Sequence, residues 1–155
     1  LCMAELTILM PAYNAAPYVE EAVQSLLNQT YADFELWVLD DASTDNTLAI
    51  VTALAAKDSR ISIISNVINQ GKLKTVNTQV RSVKSPYFTI TDADDVSHPA
   101  RLEKQMAVLN SNPQLVMCGT AYAAIDEQGY YLRTVHVPVD LKQLRERSLI
   151  QSAFM

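Results

Sequence analysis

With 155 residues, 49% of them hydrophobic and 19% charged, the chain has enough apolar material for a buried core and too little charge for a disordered segment. Its formal net charge of -5 argues against a nucleic-acid polymer or an anionic membrane as the main partner, because both reward surplus Lys and Arg. No apolar run approaches the roughly 20 residues of a membrane span, no secretory leader is evident, and Cys2 and Cys118 offer neither a metal spacing nor a disulfide framework. The expectation is one soluble domain over residues 1–155 in a reducing, cytoplasmic setting, with any tie to the cytosolic face of a membrane made by parts outside this chain.

Strand and helix patterns alternate along the chain. Leu6 to Met10 is a short apolar run that Pro11 is expected to stop. Pro17 opens a helix whose Val19, Ala22, Val23, Leu26 and Leu27 recur at helical spacing, with Glu20 and Glu21 in the first turn where the dipole favours them. Phe34 to Leu39 reads as a second strand ending at Asp40-Asp41. Ser43, Thr44 and Asp45 supply capping chemistry for a helix with Leu48, Val51, Leu54 and Ala55 inward. Ile61 to Ile64 is a third strand, Lys72 to Val83 a weaker helix and Tyr87 to Thr91 a fourth strand. Pro99 to Leu109 is amphipathic, with Leu102, Met106 and Leu109 on one side and Asn112-Pro113 as its stop. Leu115 to Ile125 and Tyr130 to Val137 read as two strands joined by a turn at Asp126-Glu127-Gln128-Gly129.

Such alternation predicts βαβ units and an α/β, Rossmann-like, mostly parallel sheet flanked by helices, followed by a C-terminal strand pair. In such a sheet ligands bind beyond the carboxyl ends of the strands. Three predicted strands end in polar clusters: Pro11-Ala12-Tyr13-Asn14, Asp40-Asp41-Ala42-Ser43, and Asp92-Ala93-Asp94-Asp95. The last packs three carboxylates into four positions. Carboxylates so close repel one another, so the cluster suits a strand end facing a divalent metal; a solvated acidic turn ahead of the next helix is the plainer alternative. The three glycines, Gly71, Gly119 and Gly129, form neither a Gly-x-Gly-x-x-Gly nor a P-loop, so no glycine-rich nest can cradle phosphates. A diphosphate would have to be held through a metal.

The chain resembles the inverting glycosyltransferases of family 2, which have the GT-A fold. The resemblance rests on Leu6-Thr7-Ile8-Leu9-Met10-Pro11-Ala12-Tyr13-Asn14, Leu26-Leu27-Asn28-Gln29-Thr30, Phe34 to Asp45, Asn69-Gln70-Gly71, and Asp92-Ala93-Asp94-Asp95 followed by Pro99-x-Arg101-Leu102-Glu103-Lys104-Gln105. It implies transfer of a sugar from a UDP- or dTDP-sugar to an acceptor hydroxyl, with inversion and with Mg²⁺ or Mn²⁺. The acceptor class it implies is a saccharide, a lipid-linked saccharide or a protein, as in polysaccharide or cell-envelope biosynthesis.

The resemblance further implies that Pro11, Tyr13, Asp41 and Asp92 contact the nucleotide and that Asp94 holds the metal, with Asp92 and Asp95 as additional metal candidates. Tyr13 would stack on the base, unless it packs on the first helix. Asp41 would accept from the ring N–H of the base; the alternative, an N-cap, is better served by Ser43 or Asp45. Asp40 would orient the loop, and Asp95 would support the metal site or cap the approaching helix. Lys72 either reaches a phosphate or is a solvated helix-start lysine, and His98 either touches the sugar or metal or is structural. Thr75-Val76-Asn77 departs from the family, which commonly has an arginine before that asparagine, so a contact expected from it is in doubt.

The resemblance implies a catalytic base in the second half of the catalytic domain, expected after Met155; Asp126 and Asp140, the later aspartates here, stand in no convincing motif. The chain thus reads as the donor-binding, N-terminal part of a catalytic domain. Two other readings compete. A sugar nucleotidyltransferase shares the sheet but wants a Gly-rich basic loop after the first strand, and Pro11 to Pro17 contains no glycine. A non-catalytic, receiver-like regulatory module with a metal places its paired acids after the first strand, whereas here they follow the second.

Overall fold

Residues 3–136 are described by the computed structural model, in which the chain divides into two compact units, Leu1–Glu103 and Lys104–Met155. The elements run β1 (Leu6–Ala12), α1 (Val19–Leu27), β2 (Phe34–Asp40), α2 (Thr47–Ala55), β3 (Ile61–Ser65), α3 (Lys72–Val80), β4 (Tyr87–Ile90), α4 (Arg101–Ser111), β5 (Tyr122–Ile125) and β6 (Tyr131–Val135).

In the first unit the sheet order is β3-β2-β1-β4, and every pairing is parallel. All seven residues of β1 are buried, which explains why this strand is continuously apolar rather than alternating. Burying side chains such as Ile8, Leu9 and Met10 stabilises the fold by about 1.5–3 kcal/mol each. The polar exception, Thr7, is satisfied by Glu35 Oε1 at 2.7 Å and Ser85 Oγ at 2.6 Å. Pro11 does not end β1, contrary to the expectation. The ladder to β4 stops at Leu9↔Ile90 while that to β2 continues to Ala12↔Asp40, so Pro11 stands where one flank is unpaired and a missing N–H is tolerated.

Helix α1 begins at Val19, with Ala15 O accepting from the Tyr18 and Val19 amides. Past its end, Gln29 donates to the carbonyls of Ser25 (3.1 Å) and His98 (2.8 Å) while its own oxygen accepts from Leu102 N (3.0 Å). This buried amide ties α1 to the start of α4. In α2 the inward set is Thr47, Val51 and Leu54, whereas Leu48 is partly exposed; Thr47 takes the inward place because its hydroxyl has partners there. Helix α3 stops at Val80 and a turn follows, with Ser82 N bonded to Gln79 O. Val80 and Val83 nevertheless pack with Trp37 and Ile64 around Leu9, Leu39 and Val76.

In α4, Leu102 and Met106 are buried as the pattern predicts. The expected strand from Leu115 shortens to Tyr122–Ile125. Val116 is 100% and Met117 76% exposed, and residues 115–121 join no ladder among the described residues. The β5–β6 pair is antiparallel with a bulge at Ala124/Ile125. Its turn is built by Asp126, whose Oδ1 accepts from the Gln128 and Tyr130 amides at 3.0 and 2.8 Å, with Gly129 at φ 83°. Asp126 thus has a turn-forming job. Val137 and Asp140 lie outside the described residues.

Candidate functional site

The carboxyl ends of β1, β2 and β4 share one edge of the sheet, and a cavity of about 350 Å³ opens there, lined among others by Pro11, Tyr13, Asp41, Lys72, Asp92 and Asp94. Residues far apart in sequence are therefore brought together. Asp95, the remaining candidate, does not line that wall.

The loops that carry these side chains are laced to one another. Asn14, in the left-handed region at φ 50°, accepts from Thr44 N at 2.8 Å and donates its own N–H to Ser43 Oγ at 3.1 Å. Ala15 N donates to Thr47 Oγ1 (2.8 Å) and Ala16 N to Asp45 Oδ2 (3.1 Å). Asp45 Oδ1 accepts from both Thr47 N and Thr47 Oγ1, chiefly the latter holding its carboxyl below the usual range. The β1–α1 loop is thus fastened to the start of α2. Tyr13 leaves it with its side chain half exposed, so the ring is available for stacking rather than packed away under α1.

Asp41 sits at the centre of a second network. Its Oδ1 accepts from Asn66 Nδ2 (2.7 Å), Gln70 N (3.0 Å) and Thr75 Oγ1 (2.9 Å), and its Oδ2 from Gly71 N (2.7 Å). Burial alone would raise this carboxyl, but the four hydrogen bonds outweigh it and hold the group below its ordinary range. Oδ2, with one partner, keeps a lone pair for a further donor. The sequence pointed to a base contact; the structure adds that the same carboxylate orders the Asn66–Gly71 loop. Asn66 and Thr75 therefore belong to the site at one remove, and no sequence motif announced Asn66. Asp40 contributes through its backbone, its carbonyl accepting from Asn66 N at 2.8 Å, while one of its buried carboxylate oxygens has no partner.

Ala42, next to Asp41, has φ 62°. A side chain at such an angle costs about 1–2 kcal/mol relative to glycine, so Ala42→Gly is expected to stabilise the chain by about 1 kcal/mol. Urea unfolding of the two proteins checks this, and an unchanged midpoint would refute the strain.

In the acidic loop, Asp95 N closes a turn onto Asp92 O at 3.2 Å. The Asp95 carboxyl is held above its usual range, first by desolvation and then by the Asp92 and Asp94 charges, with Arg101 and Lys72 opposing. Beneath the loop Arg101 donates to Thr91 Oγ1 at 3.1 Å. Its Nε is buried without a partner, and burial lowers its pKa. His98, not Asp95, meets the helix that follows. Its Nδ1 accepts from Ala100 N at 3.2 Å and its carbonyl from Arg101 N at 2.9 Å, which is the structural alternative for this histidine. Lys72 is a solvent-exposed lysine at the start of α3, yet it is not idle: its Nζ lies 2.6 Å from each carboxylate oxygen of Asp92. Tyr18, 53% exposed and also on the cavity wall, was missed by sequence reasoning, although an aromatic residue between Pro17 and the first helix was a visible signal.

The profile of the family described as glycosyl transferase family 2 matches residues 7–154. The chain belongs to glycosyl transferase family 2. An uncharacterized glycosyltransferase of Haemophilus influenzae is 35% identical over 133 residues, covering 86% of this chain and 53% of that protein. The Escherichia coli UDP-Glc:alpha-D-GlcNAc-diphosphoundecaprenol beta-1,3-glucosyltransferase WfgD is 35% identical over 113 residues, covering 73% of this chain and 44% of WfgD. The solved mannosyltransferase PcManGT from Pyrobaculum calidifontis, in complex with GDP-Man and Mn²⁺, superposes with a TM-score of 0.65 at 30% identity over 74% of this chain and 34% of that one. The chain thus spans about half, or less, of the length of these family 2 relatives. Its parallel sheet, flanking helices and antiparallel strand pair are the GT-A architecture expected from the sequence. No helix among the described residues is long and apolar enough to cross a membrane.

Proposed function

We propose that this chain is the donor-binding part of an inverting glycosyltransferase that moves a sugar from a UDP- or dTDP-sugar to an acceptor hydroxyl with the help of Mg²⁺ or Mn²⁺. The observation that carries the reading is the convergence of Tyr13, Asp41, Asp92 and Asp94 on one cavity at the carboxyl edge of the sheet. Family membership supports it, as do the UDP-Glc in the name of WfgD and the GDP-Man and Mn²⁺ bound to PcManGT.

In this reading Tyr13 stacks on the base and the free lone pair of Asp41 accepts its ring N–H, while Pro11, one residue before the end of β1, shapes the wall behind them. Asp92 faces the ribose. Asp94, with Asp92 or Asp95 assisting, presents hard carboxylate oxygens suited to Mg²⁺ or Mn²⁺. Among the described residues no three such ligands converge into a complete cage. That donor set fits an ion which takes one or two protein carboxylates and completes its shell with phosphate oxygens and water. The bound cation would offset the charge of the departing nucleoside diphosphate. A base outside this chain takes the proton of the acceptor hydroxyl as it attacks the anomeric carbon. A saccharide on a diphosphate lipid, the acceptor that the name of WfgD states for that enzyme, is the acceptor class we propose to test first.

Titrating the chain with UDP or dTDP by calorimetry tests the donor site. Affinity is expected to fall at least about tenfold when EDTA replaces Mn²⁺, because the acidic edge repels a diphosphate that no cation bridges. Equal affinity under both conditions would remove the metal from the mechanism.

A further inference from the structure

Lys72 stands against its local preference. It is the first residue of α3, where the positive end of the helix dipole disfavours an ammonium, and the first turn of that helix holds no acidic residue. Its backbone is fixed from the preceding side: Gly71, at φ 83°, donates its N–H to Asp41 Oδ2. From there the side chain reaches to the acidic loop, and its Nζ lies 2.6 Å from both oxygens of Asp92. An ammonium seated between the two oxygens covers the lone pairs that a divalent cation would use. The pair is also partly open to water, with side chains 54% and 41% exposed, so it can part at small cost.

Resting on the donor-site reading above, we propose that Lys72 is the resident counter-cation of Asp92: it keeps a divalent ion off this carboxylate until a nucleoside diphosphate arrives, then turns to the phosphate oxygens and releases Asp92. Metal and nucleotide then load together, not metal first. The lack of a complete three-ligand cage among the described residues agrees with this order, since a site that needs phosphate oxygens has little use for a cation bound beforehand. The coupling is reciprocal by linkage. UDP tightens Mn²⁺ binding by offering phosphate oxygens and also by drawing Lys72 away from Asp92.

The test is Mn²⁺ binding, followed by the electron paramagnetic resonance signal of the free ion, with and without UDP. Lys72→Met is expected to bind Mn²⁺ about tenfold more tightly than the wild type in the absence of UDP. Lys72→Arg, which keeps a cation in place, should resemble the wild type, and so should Lys74→Met, which removes the same charge from the same helix. The gain in Mn²⁺ affinity on adding UDP should be smaller in Lys72→Met than in the wild type. Unchanged Mn²⁺ affinity in Lys72→Met, or an equal gain in Lys74→Met, would overturn the proposal while UDP-dependent Mn²⁺ binding by the wild type leaves the donor site standing. Failure of every variant to bind Mn²⁺ even with UDP would overturn the metal-assisted reading itself.

Discussion

Asp94→Ala is expected to abolish the metal-dependent part of nucleoside diphosphate binding and to lower sugar transfer by the enzyme carrying this chain about 10²–10³-fold, the scale of removing one preorganised electrostatic group from a transfer site. The side chain is exposed on the cavity wall, so stability should stay within about 0.5 kcal/mol of the wild type. That combination matters, because a large loss of transfer without a loss of fold assigns the effect to the site. The measurement is donor turnover over a panel of acceptors, paired with UDP titrations with and without Mn²⁺. Retention of both transfer and metal-dependent binding would take Asp94 out of the mechanism.

Asp41→Asn should fail in a different way. The amide keeps the shape of the carboxylate but aims a donor where Asn66 Nδ2, Thr75 Oγ1 and the Gln70 and Gly71 amides already donate. A loss of about 2–4 kcal/mol in unfolding free energy is expected from a buried charge-assisted network broken on one side. UDP affinity should fall with and without metal, which separates this residue from Asp94. The pH dependence follows from the same bonds. A carboxyl held below its unfolded value of 3.8 stabilises the fold at pH values above that value, and the contribution fades as pH falls through the folded pKa. Urea unfolding at neutral pH and at a series of acid pH values should show that acid dependence flattened in Asp41→Asn. A destabilisation under about 1 kcal/mol, or an acid dependence as steep as the wild type's, would count against the network.

The order of strands and helices was legible because burial imprints a period on the sequence. β1 is apolar apart from Thr7 since both faces are covered, and α1 repeats Val19, Ala22, Val23 and Leu26 because one face is. Its boundaries were less legible where a local rule met tertiary context. Pro11 ought to end a strand, but the missing N–H falls where one flank carries no ladder, and β1 runs on to Ala12. Leu48 looked inward by hydrophobicity, yet Thr47 occupies the buried place because Ala15 N and Asp45 supply partners for its hydroxyl.

The cavity could be anticipated for a topological reason, since every parallel strand delivers its following loop to the same edge. Pro11, Tyr13, Asp41, Asp92 and Asp94 all stand on its wall. What could not be read was the traffic between loops. That Asp41 spends four hydrogen bonds on its neighbours, or that Lys72 reaches Asp92 across 20 positions of sequence, depends on distances that no periodicity encodes. The left-handed turn at Ala42 was hidden for a related reason: alanine carries no signal for φ 62°.

On the proposed donor-site reading, the network around Asp41 also bears on how fast a nucleoside would be captured. The Asn66–Gly71 segment is already tied to the sheet before any ligand arrives, so its ordering entropy is spent in folding and not in association. If the base binds there as proposed, its capture is expected to be a single encounter governed by diffusion and orientation, without a slow closing step for that wall. On the loading order proposed above, a slow phase in nucleotide uptake is expected on the acidic side, where Lys72 and Asp92 would separate.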